Sequence, residues 1–75
     1  MSSENKAIKK ILVENLKDYR TRAKLTQEDA AERAEITTKY WQRLEMASQI
    51  DLPSLPVLFR ISRALGIQPS QLLRK

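Results

Sequence analysis

Seventy-five residues are enough for one domain and too few for two, since a chain this short buries only about 60% of its unfolded surface. With no cysteine and no histidine, a disulfide framework and the commonest zinc ligands are excluded, and so are the usual general base and thiol nucleophile, so neither a metal or other cofactor nor an enzymatic activity is expected. The formal net charge of +5 points to a polyanionic partner, nucleic acid or an anionic membrane, between which charge alone does not choose.

One glycine, three prolines and no sustained alternation of apolar and polar residues predict an all-α chain. A first helix is predicted over residues 6–23, where Ile8, Ile11, Leu12, Leu16 and Tyr19 recur at three- and four-residue steps while Lys9, Lys10, Glu14, Lys17 and Asp18 fall on other faces. Residues 1–6 are expected to form a flexible polar end ahead of a single domain over residues 7–75. Thr26 is an N-cap candidate, with Asp29 three places on, for a second helix over residues 27–34. Its apolar face is mostly Ala30, Ala31 and Ala34, small enough for a close neighbour. Thr37 is the N-cap candidate of a third helix over residues 38–46, in which Trp41 and Leu44 face inward with Ile36, and Trp41 fills the space the alanines leave. A loop over residues 47–53 leads to Ser54, the cap of a fourth helix with Pro56 in its first turn, Leu58, Ile61 and Leu65 inward, and Gly66 as its stop. A short fifth helix is predicted over residues 69–73.

No apolar run approaches the roughly 20 residues of a membrane span, and the first six residues lack the apolar stretch of a secretory signal. A cytoplasmic protein is the expectation, and helices with inward apolar faces describe a globule, not a membrane-surface peptide.

The run Leu25-Thr26-Gln27-Glu28-Asp29-Ala30-Ala31 resembles the Leu-Ser-Gln-Glu-Glu-Leu-Ala that opens the second helix in the Cro/cI-type helix-turn-helix domains of phage repressors and related bacterial regulators. Ile36-Thr37, Arg43-Leu44-Glu45, Pro53-Ser54-Leu55, Ile61 and Ala64-Leu65-Gly66-Ile67 continue the likeness, which covers about residues 12–73. It implies a compact five-helix, lambda-repressor-like domain in which helices 2 and 3 form the helix-turn-helix. Two places depart from the pattern. Glu35 stands where the family usually has a positive-φ glycine, a cost on the order of 1 kcal/mol. Trp41 replaces an Ile or Val while Ala30 and Ala34 replace leucines, read together as one exchange of volume.

The major groove admits an α-helix and is read by side chains near the start of that helix. Thr38, Lys39, Gln42 and Arg43 are therefore the base-reading candidates, at the positions where the resemblance also places readout. Lys39 and Arg43 suit guanine, Gln42 adenine, and Thr38 a thymine methyl. Phosphate contacts are expected from Gln27 and Thr37 at helix starts, from the Tyr40 hydroxyl, and from Ser48 and Gln49 in the following loop; Lys17 and Lys24 add charge. The resemblance also implies a partly buried, structural salt bridge between Arg20 and Glu45.

The expected partner is double-stranded DNA in the cytoplasm or nucleoid, bound as a homodimer on a palindrome, because one recognition helix reads only a few base pairs. Phe59, Ile67, Leu72 and Leu73 are the dimer-interface candidates. The expected role is transcriptional regulation, most simply repression, with no small-molecule ligand. The alternative is an antitoxin or a restriction-modification accessory protein whose main role is binding a partner protein.

Overall fold

A computed structural model describes residues 3–75. Among the described residues every regular element is helical: α1 (Ser3–Arg22), α2 (Gln27–Arg33), α3 (Thr38–Leu44), α4 (Leu55–Leu65) and a closing 3₁₀ helix (Pro69–Leu73). Three of these starts are fixed by a hydroxyl that takes an otherwise unpaired N–H. Thr26 accepts from the Asp29 N–H at 3.0 Å while Asp29 accepts from the Thr26 N–H, a reciprocal capping box. Thr37 accepts from the Tyr40 N–H at 3.0 Å, and Ser54 accepts from the Val57 N–H at 3.4 Å.

Three helix ends are closed by one motif. After α1, α2 and α4 a left-handed residue, Lys24 (φ 60), Glu35 (φ 60) or Gly66 (φ 71), turns the chain. The next N–H then reaches back five residues: Leu25 to Arg20 O, Ile36 to Ala31 O, and Ile67 to Ser62 O. This is the Schellman pattern, whose residue after the turn is typically apolar and tucks against the helix. Here that residue is Leu25, Ile36 or Ile67, of which Leu25 is buried and the other two pack against the core. Glu35 takes the positive φ its place in the pattern demands, and Lys24 does the same.

One core joins all five elements: Leu12 and Leu16 of α1, Leu25, Ala30, Ala31 and Ala34, Trp41 and Leu44 of α3, Leu58, Ile61 and Leu65 of α4, and Leu72. α2 packs on both α3 and α4, and the 3₁₀ helix on α1 and α4. Trp41 is fully buried in the cluster that holds the three alanines, so the indole occupies the space their small side chains leave.

Four expectations need correction. Helix α1 begins at Ser3, so residues 3–5 are helical where a loose end was expected, and Met1 and Ser2 lie outside the described residues. Its buried stripe is Lys9, Leu12, Val13 and Leu16, rotated by roughly 70° from the predicted face at 100° per residue. Ile8 is therefore exposed, and Ile11 and Tyr19 sit half-buried on the flank. The third helix ends at Leu44, short of Met46, whereas the fifth helix keeps its predicted bounds and is of the 3₁₀ type. Of the dimer-interface candidates, Leu72 is fully buried and Ile67 packs against the core, because α1 and α4 close over the 3₁₀ helix; Phe59 and Leu73 remain exposed. No described helix is long and apolar enough to cross a membrane.

Candidate nucleic-acid interface

The two capped helices α2 and α3 meet through a turn of four residues, Ala34 to Thr37. Trp41 and Leu44 anchor α3 inward, so Thr38, Lys39, Gln42 and Arg43 fall within an outward arc of about 140°. Lys39, Gln42 and Arg43 are exposed and Thr38 is half-buried. The arc therefore offers two cations, an amide and a methyl-bearing hydroxyl to whatever lies against the helix.

Beneath this arc lies a buried carboxylate. Glu45, 3% exposed, accepts from Arg20 Nε at 2.7 Å and Nη2 at 3.2 Å, from Gln27 Nε2 at 3.0 Å, and from the Trp41 indole N–H. Arg20 and Glu45 thus form the pair that the resemblance implies. Burial alone would raise the Glu45 carboxyl, but the hydrogen bonds from Arg20, Trp41 and Gln27, with the Arg20 charge, outweigh it and hold the group below the usual carboxylate range. The same oxygens tie α1, the start of α2 and the end of α3 to one point. Arg20 also donates to Leu25 O at 2.9 Å, which extends the tie into the segment before α2.

A second buried charge lies on the other flank of α3. Lys9 is 1% exposed, and its ammonium donates to Arg43 O at 3.0 Å and to Asp51 O at 2.9 Å. It thereby adds a second donor to a carbonyl in the last turn of α3 that also accepts from the Met46 N–H. Burial lowers the Lys9 pKa, the Asp51 carboxylate raises it and Arg43 lowers it again, and the net direction is down. The side chains of Arg43 and Asp51 form an ion pair through Nη2 and Oδ2. On the far side of α2, Arg60 Nε donates to Ala34 O at 3.1 Å, serving an open carbonyl at that helix end.

Among the phosphate candidates, Thr37 and Ser48 are exposed, and Gln27, Tyr40 and Gln49 half-buried. The Gln27 amide donates to Glu45, and the Tyr40 ring packs half-buried against the core. Thr37 spends its hydroxyl on the cap of α3. Sequence reasoning missed Lys9, Asp51 and the indole hydrogen bond. For Lys9 the signal was present: positions 9, 12, 13 and 16 are one helical stripe, and only the charge argued against burial.

A family model described as a helix-turn-helix domain matches residues 11–74, most of the chain. No curated protein and no solved structure matches it.

Proposed function

We propose, from the premise that the chain belongs to the helix-turn-helix domain family, a DNA-binding class, that it is a transcriptional regulator reading double-stranded DNA through α3. The observation that carries this reading is the division of α3 into two faces. Trp41 and Leu44 are locked inward, with the buried Glu45 fixing the helix end, while Thr38, Lys39, Gln42 and Arg43 remain available to a groove. A side chain on a rigid helix reads bases better than one on a loop, because its geometry is set before contact.

In this reading Lys39 and Arg43 address guanine, Gln42 adenine, and Thr38 a thymine methyl. Thr37, Gln27, Tyr40, Ser48 and Gln49 hold the phosphates, and the Gln27 amide does so while bonded to Glu45, which fixes its orientation. The protein acts as a homodimer on a palindromic operator and represses by occupying a promoter. Of the dimer-interface candidates, Phe59 and Leu73, 56% and 47% exposed, are the two available to join two copies.

Selection of bound duplexes from a random pool tests the reading directly. Two inverted half-sites about one helical turn apart are expected, with binding that weakens by a slope of about −0.9 per phosphate neutralised as salt rises. A pool that enriches no sequence, or binding indifferent to salt, overturns it.

A further inference from the structure

We propose that Asp51 is a specificity-determining residue: its carboxylate orients the Arg43 guanidinium for base reading, and the buried Lys9 ammonium holds both residues in register. The proposal rests on the reading of Arg43 as a base contact. Arg43 belongs to α3 and Asp51 to the loop after it, eight residues on, yet one ammonium donates to the main-chain carbonyl of each, at 3.0 and 2.9 Å. With Lys9 only 1% exposed, water does not compete for that site. The two backbones are fixed to a common point, and the side-chain pair that bridges them is held by this clamp.

The pair constrains Arg43 without hiding it. Arg43 keeps 49% of its side chain exposed and Asp51 32%, and the carboxylate makes its closest approach at Nη2. A guanidinium has five N–H donors in a rigid fork, more than one carboxylate can take, so donors remain for a base edge. An arginine on an unrestrained surface samples many rotamers and reaches phosphates as readily as bases; one tethered at Nη2 is limited to a narrow sweep. Asp51 also places a negative charge beside that sweep. It disfavours approach to phosphate oxygens and leaves the in-plane geometry that guanine O6 and N7 require. The loop thereby sharpens base choice at a position it does not itself read.

The test uses the full chain, the selected operator and its single-base variants, with affinities at one salt concentration for wild type, R43A, D51A, D51E and the R43A/D51A double variant. Loss of the half-exposed pair leaves the fold intact, which a thermal melt of D51A checks. Wild type is expected to prefer its base at the Arg43 position by about tenfold. In D51A that preference falls to near parity while affinity for unrelated duplexes holds or rises. D51E, which keeps the carboxylate, retains part of the preference, and D51A changes nothing at that base pair once Arg43 is gone. If D51A tightens binding to every duplex by one factor with base preference intact, Asp51 is only an electrostatic brake and the proposal fails. If R43A alters no base preference, the reading of Arg43 as a base contact fails first, and the proposal with it.

Discussion

Two buried charges flank the end of α3, and they are satisfied in opposite ways. Glu45 is met by side chains from three helices, Arg20, Gln27 and Trp41. Lys9 is met by main-chain carbonyls, those of Arg43 and Asp51. A carboxylate surrounded by donor side chains is a specified contact, in which every partner is a residue choice. An ammonium on backbone oxygens asks nothing of its partners' identity, only that the chain pass through the right place. The first arrangement records the fold in residue types, and the second enforces it on whatever residues occupy the loop.

The comparison predicts unequal costs. Glu45→Ala leaves the Arg20 guanidinium, itself only 16% exposed, without its counter-charge and is expected to cost about 3 to 5 kcal/mol, read from a denaturant titration. The loss should deepen as pH is raised from acid. Because the Glu45 pKa is depressed when folded, its contribution is fully present above the unfolded value near 4.5 and is lost as pH falls through the folded value. Glu45→Gln should flatten that acid limb. Lys9→Ala strands dipoles, not a charge, and Arg43 O still accepts from the Met46 N–H at 3.2 Å, so about 2 kcal/mol is expected. A Lys9 cost equal to that of Glu45 breaks the distinction. At the alkaline end Lys9 gives a slope of the same sign, although here it is the charged form that folding disfavours. Its folded pKa lies below the ordinary 10.5, the unfolded chain binds more protons in that window, and stability rises with pH there until Lys9→Met abolishes the rise.

Smaller effects sharpen the contrast. Trp41→Phe removes one of the donors on Glu45 while keeping most of the ring, and should cost about 1 to 2 kcal/mol, against about 3 to 5 for Trp41→Ala; a Trp41→Phe variant as stable as wild type would make the indole N–H irrelevant. Asp18→Asn breaks the exposed Arg22–Asp18 pair, with side chains 68% and 49% exposed, and should move the melting midpoint by less than about 0.5 kcal/mol equivalent.

The same contrast explains what was legible beforehand. Thr26, Thr37, Ser54 and Gly66 mark helix boundaries because capping is local, a matter of a side chain and the next three residues. Trp41 against Ala30, Ala31 and Ala34 is readable as a balance of volumes. Glu45 and Arg20 come from a family pattern, since the residues themselves sit 25 positions apart. Lys9 reaches carbonyls 34 and 42 residues away, and a carbonyl is present at every position, so no residue type betrays it. The burial stripe of α1 is hidden by a different cause: the charge at Lys9 points to exposure although its spacing aligns it with Leu12, Val13 and Leu16. Asp51 had no pattern to belong to, and its pairing with Arg43 follows only once the loop is seen to fold back under α3.

The three left-handed closures bear on how this sequence can change. At Lys24 and Glu35 the burial or packing of Leu25 and Ile36 outweighs a backbone geometry that costs an L-residue about 1 to 2 kcal/mol. Glycine would remove that cost and add back about 0.5 to 1 kcal/mol of unfolded-chain freedom. Each site therefore keeps a small stability reserve, within reach of one substitution. A lineage carrying such a reserve can absorb a destabilising exchange in α3 while its binding preference is rewritten.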